Sequence, residues 1–205
     1  MSTYIIHTET YTHKCGKKYI VEVEPDYDFG APDEQHDCHG PVVELDFDPE
    51  DEGAVDDYIE ANTAEDSPEE LEERARMASM RLLGKYSYRY AGQRKYYDVW
   101  ESLKIAKKKW GHTTDKSARE AVETDYEYLN GWYNDDWSWC SVTVYATDED
   151  GEKDEDHNYC IGGYETTIIE PENRAWFDEV IEDCVHSVEH ELRRELHKDQ
   201  LELAL

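Results

Sequence analysis

Long apolar runs are missing from this chain of 205 residues: none approaches the roughly 20 residues needed to span a bilayer, so a soluble, cytoplasmic protein is expected. Paired cysteines are missing too. The five present (Cys15, Cys38, Cys140, Cys160 and Cys184) are odd in number, widely spaced and without a CxxC pair, and no signal peptide precedes them. That is the pattern of reduced intracellular thiols rather than of a disulfide framework. Positive charge is scarce: 21 lysines and arginines face 51 aspartates and glutamates, a formal net charge of −30, and no lysine or arginine lies between Lys18 and Arg74. Free nucleic acid and anionic membranes are therefore poor partners for the whole molecule. There is no GxxxxGK[ST], GxGxxG or GxSxG motif, no grouping of Ser, Cys and His that points to a triad, and no internal repeat.

What is present is enough to fold. Apolar residues make up 38% and aromatics 12% of the chain, sufficient for a core. The charge is segmented: residues 1–73 hold 23 acids against 3 bases, 74–119 hold 3 against 13, and 120–205 hold 25 against 5. The lysine-rich "KIAKKKWG" argues against general adaptation to high salt.

Residue patterning predicts a hairpin around "HKCGKK" with Gly16 in its turn, and a Pro-, Gly- and acid-rich irregular connection over 25–66 with "GPVVELDF" as its only strand-like insert. A helix follows, capped by Ser67, with Pro68 at its first position and Gly84 as its stop. Two more are predicted from "YYDVWESLKIAKKKWG", ending at Gly111, and "DKSAREAVETDYEYLNGW". Alternation of Cys140, Val142 and Val144 with Trp139, Ser141 and Thr143 marks a strand, "DEDG" a turn and "NYCIGG" a return strand. A C-terminal helix over 172–197 is expected to bury Trp176, Val180, Cys184, Val188 and Leu192. The expected fold is α+β: an antiparallel sheet from the N-terminal and central hairpins packed with three to four helices. The expected organisation is 1–66, hairpin plus acidic connection, and 67–205, helical and hairpin core, forming one compact unit.

The stretches "DYDFGAP…HDCHGPV", "YYDVWESLKIAKKKWG" and "VETDYEYLNGWYNDDWSWCSVTVYATDEDGE" resemble a family of uncharacterised proteins encoded by tailed bacteriophages. Its members carry an "APWE…DGHGPV" loop, a "YYDxxEAIKIARxxGWG" helix, "NDEWYWVGVxVTxxDxDGE" and a "SLWGIES" return strand. The likeness covers most of residues 18–197. This chain departs from the pattern at Asp33, Cys38 and Ile161. The resemblance implies a phage origin, a small accessory role, and a shaped loop at His39, Gly40 and Pro41.

Two His-rich stretches are weighed as metal sites. His13, Cys15, His36, Cys38 and His39 offer suitable ligand types, but HxC plus HxCH is not an established spacing, so His36, Cys38 and His39 are weak candidates. "HSVEH", residues 186–190, matches the H-x-x-E-H pattern, yet with 15 residues after it His186, His190 and His197 read as a solvated stripe with Glu179 and Asp183. "DYDFG" and "DEDGEKDED" lack the ligand positions of a calcium loop. Neither a cofactor nor a metal is expected. The tyrosine-interleaved basic stretch "KYSYRYAGQRKYY" could stack single strands, but flanking acids favour a role as internal counter-charge.

The expectation is thus a non-enzymatic accessory protein of the infected cell's cytoplasm that binds and inhibits a basic, DNA-binding host or defence protein. Helix-held carboxylates would stand where that partner expects phosphates: Glu69, Glu70, Glu72 and Glu73, and Glu179, Glu182 and Asp183. "DPEDE" and "VDDYIE" could extend the surface. A dimer is compatible with the sequence. The alternatives are a metal-binding protein or enzyme using the His/Cys loop, and a virion assembly component.

Overall fold

A computed structural model describes residues 4–35, 38–48, 51–82, 87–90 and 93–202. In chain order the elements are β1 (His7–Thr12), β2 (Lys18–Pro25), α1 (Pro32–Gln35), β3 (Val42–Glu44), α2 (Glu52–Asn62) and α3 (Pro68–Leu82). They continue with β4 (Ser87–Tyr90), β5 (Gln93–Tyr97), α4 (Val99–Lys108), α5 (Asp115–Tyr133), β6 (Trp139–Thr147), β7 (Lys153–Glu165) and α6 (Arg174–Glu202). The fold is α+β. The chain forms two compact units, residues 1–29 with 137–205, and residues 30–136, so the division lies at 29/30 and 136/137 rather than at 66/67.

The first unit joins the two predicted hairpins. Its sheet has the order β1-β2-β6-β7, antiparallel throughout, because β2 pairs with β6 across more than a hundred residues of chain. Gly16 makes the first turn at φ +87°, a conformation that costs a residue with a Cβ far more. Strand alternation places Tyr19, Val21 and Val23 opposite Ala146, Val144 and Val142 on one face. Against that face α6 buries Phe177, Val180, Ile181, Cys184, Val185 and Val188. The expected Trp176 is not among them; it is exposed and meets Tyr164 edge-on, while Phe177, one position further round the helix, fills the core.

In the second unit β3, β5 and β4 form an antiparallel sheet with β5 in the middle. Tyr96 and Tyr97 were expected to open a helix, but they end β5 and point to opposite faces. Tyr97 packs with Val99, Ala106, Ala118, Val122, Tyr126 and Leu129 of α4 and α5, and Tyr96 with Ile59 of α2 and Met77 of α3. The helix starts at Val99, capped by Asp98, whose carboxylate accepts from Glu101 N at 3.1 Å. Ser67 caps α3 as expected, accepting from Glu70 N at 3.0 Å; Gly84, its expected stop, lies outside the described residues. The stretch 25–66 is not an irregular connection throughout: it contains α1, the expected β3, and α2, which Asp51 caps by accepting from Gly53 N and Ala54 N.

Candidate functional site

The acidic start of α3 is engaged with the unit's own bases. Glu70 accepts from Arg74 Nε at 2.8 Å and Arg74 also reaches Asp56 at 2.7 Å; Glu73 pairs with Arg76 at 3.0 Å; Glu72 contacts Lys104. Arg76 continues to the buried Asp98 at 2.6 Å. Lys95 reaches Glu34 and Glu44. Acids from the first 73 residues thus meet bases that begin at Arg74; of the stretch 85–97 expected to serve as counter-charge, Lys95 is seen in such pairs. Hydrogen bonds from Arg74 and Lys104 hold Glu70 and Glu72 below the usual carboxylate range. Of the four predicted residues on this helix, Glu69 alone is exposed with no ion pair among the described residues. The basic stretch 85–97 falls partly outside the described residues; Ser87–Tyr90 and Gln93–Tyr97 are strands.

The C-terminal helix differs. No lysine or arginine occurs between Arg174 and Arg193. Glu179, Asp183, Glu191 and Glu195 recur in steps of four or eight and are all exposed, forming a row that winds round the outside of α6 by about 40° per four residues. Glu182 is not in that row: it turns toward β1 and accepts from the Tyr11 hydroxyl at 3.0 Å. The β6–β7 turn adds the exposed Asp148, Glu149, Asp150 and Glu152, and Asp148 fixes the turn by accepting from the backbone N–H groups of Asp150 and Glu152, both at 2.9 Å. His157 joins the two acidic groups, lying 2.7 Å from Asp154 on β7 and 2.7 Å from Glu195 on α6. Hydrogen bonds to Glu195 and Asp154 raise its pKa to about 9.

The "HGP" loop is shaped. Asp125, on α5, lies 2.6 Å from His39 Nδ1 and accepts from Gly40 N at 2.8 Å and from the Tyr97 hydroxyl at 2.6 Å. His39 stacks on Tyr128 at 5.3 Å between centroids. A Cβ on Gly40 would collide with Ser102 Oγ and the Tyr97 hydroxyl. Cys38 is exposed beside this loop and His36 lies outside the described residues. His13 and Cys15 belong to the first unit and Cys38 and His39 to the second, and among the described residues no cluster of three metal-binding side chains includes Cys38 or His39. The departures at Asp33 and Ile161 have local roles: Asp33 accepts from the Tyr133 hydroxyl at 3.0 Å, and Ile161 packs on the first unit's core.

One arrangement was missed in the sequence. The inner face of β1 is polar, His7, Glu9 and Tyr11, continuing to His13, and it meets Arg174, Phe177, Glu182 and His186 of α6. Arg174 forks onto Glu9 at 2.6 and 2.8 Å, His7 meets Phe177 edge-on at 5.9 Å, Tyr11 donates to Glu182, and His13 Nε2 lies 3.4 Å from Glu182. Two strand residues advance about 6.6 Å and four helix residues about 6.0 Å, so the two ladders stay nearly in step. The signal was period 2 in "HTETYTH" against period 4 in Arg174, Asp178, Glu182 and His186.

No family model, curated protein or solved structure matches the chain. Among the described residues no helix is long and apolar enough to cross a membrane.

Proposed function

We propose that this is a non-enzymatic, phage-encoded accessory protein of the host cytoplasm that binds and inhibits a basic, DNA-binding host or defence protein through carboxylates of its first unit. The supporting observation is the outer row of α6, Glu179, Asp183, Glu191 and Glu195, joined by His157 to Asp154 of β7, next in sequence to the acidic β6–β7 turn. Its members up to Glu191 have no ion pair among the described residues. Duplex DNA presents one charge per roughly 1.7 Å of axis, whereas acids four apart on a helix stand about 6 Å apart. The helix row alone is too sparse for mimicry, and the turn acids are what bring the density up. The α3 acids, held by Arg74, Arg76 and Lys104, serve the fold rather than the partner.

The test is affinity capture from a bacterial host lysate, followed by competition with duplex DNA at two salt concentrations. The expected result is a partner that duplex DNA displaces, with both interactions weakening as salt rises. A captured partner that holds this protein and DNA at once overturns mimicry.

A further inference from the structure

His13 is only 6% exposed, and its Nε2 is a buried polar atom with no hydrogen bond. Facing it at 3.4 Å is Glu182 Oε2, which is also buried and also without a hydrogen bond. Two such atoms meet at most as an ion pair without a hydrogen bond, and a bridging cation would serve both. A third donor stands beside them. One ring nitrogen of His13, one carboxylate oxygen of Glu182 and one ring nitrogen of His186 lie within 4.8 Å of one another.

We infer that His13, Glu182 and His186 bind a divalent first-row metal ion, zinc by ligand chemistry, pinning the first hairpin to α6. With metal–ligand bonds near 2.0–2.1 Å, tetrahedral ligands stand about 3.3 Å apart, close to the 3.4 Å between His13 and Glu182. Two imidazoles and a carboxylate are a zinc ligand set that leaves a fourth position for water. The other nitrogen of His13 is already oriented: Nδ1 lies 2.9 Å from Cys15 Sγ, so Nε2 is the atom presented to the ion. Glu182 is held in turn by the Tyr11 hydroxyl. A second triad, His13, Cys15 and Glu189, shares the histidine, but the Glu189 oxygens are taken by Tyr19 at 3.1 Å and Arg193 at 2.8 Å, with Lys17 at 3.7 Å. The ion therefore belongs on the Glu182 side. Each sequence motif contributes one ligand, His13 from the first and His186 from "HSVEH", while Glu182 lies in neither; His190 is exposed and outside the cluster.

The test uses full-length protein stripped with chelator and titrated with zinc, read by calorimetry and by melting temperature. One zinc per chain and a rise in melting temperature are expected. His186→Ala, at an exposed position, and Glu182→Gln should each weaken binding by more than the roughly 10- to 100-fold that loss of a merely supporting partner costs. His190→Ala should bind as the parent does. No binding, an affinity unchanged in His186→Ala and Glu182→Gln, or equal loss in His190→Ala overturns the site and leaves a His13–Glu182 ion pair. Loss in Cys15→Ser with retention in His186→Ala overturns it in favour of the other triad.

Discussion

At the scale of single residues, contacts that look similar in sequence differ sharply in consequence. Gly40 has no room for a side chain between Ser102 and Tyr97, so Gly40→Ala should destabilise the protein by about 1–3 kcal/mol or more. Urea unfolding measures this, and a change within 0.5 kcal/mol, roughly that of a neutral surface substitution, would show that the loop yields. His157 is expected to titrate near 9 in a proton NMR experiment, falling toward the ordinary histidine value of about 6.5 in Glu195→Gln. Because its folded-state pKa is raised, the clasp contributes fully below about 6.5 and is lost as pH climbs through 9. Stability that falls between pH 7 and 10 in the parent but less in His157→Gln would agree. The buried thiols of Cys140 and Cys184 are pushed up to about 12 by burial and stay protonated throughout that range. Ser67 was legible as a cap because capping is local chemistry. The inward turn of Glu182 was not, since it depends on which strand lies beside α6.

Among the elements, α3 and α4 are joined by charge. Arg76 spans from Glu73 on its own helix to Asp98, whose side chain is 1% exposed and caps α4. Arg76→Met should therefore cost about 3 kcal/mol by leaving a buried carboxylate unpaired, and Asp98→Asn in that background should recover part of the loss. A double-mutant cycle in chemical denaturation measures the coupling. Lys104→Glu removes contacts to Glu72 and Glu101 and places three acids together, so its destabilisation should be larger at low than at high salt. Lys108 and Lys109, by contrast, are exposed and form no ion pair among the described residues, and Lys107 reaches only Asp115. Both large hairpins and α3, α4 and α5 were legible, because alternation, caps and apolar spacing are written over short windows. The helix α2 was not: "EGAVDDYIEAN" buries only Ile59, and its acidity reads as solvated loop until Asp56 is seen against Arg74. The tyrosine pair 96–97 misled because a helix face and a strand end both accept adjacent aromatics.

Over the whole molecule the acidity is shared but its handling is not. The first unit holds 24 acids against 8 bases, a net −16, and the second 27 against 13, a net −14. In the second unit Arg74, Arg76, Lys95, Lys104 and Lys107 lie among the acids they offset. In the first, the outer row of α6 and the β6–β7 turn have few bases near them. Charge this unbalanced repels itself, so added salt should raise the melting temperature of the parent. The division into units was illegible because β2 and β6 pair across more than a hundred residues of chain. The sharpest measurement compares two charge reversals in their affinity for the captured partner across a salt series: Glu179, Asp183 and Glu191 to lysine, and Glu70, Glu72 and Glu73 to lysine. The first set should weaken binding and flatten its salt dependence while the fold persists; the second should lower the melting temperature and leave affinity of the folded fraction unchanged. Affinity indifferent to the first set, or lost only with the second, would contradict the assignment of the binding surface to α6.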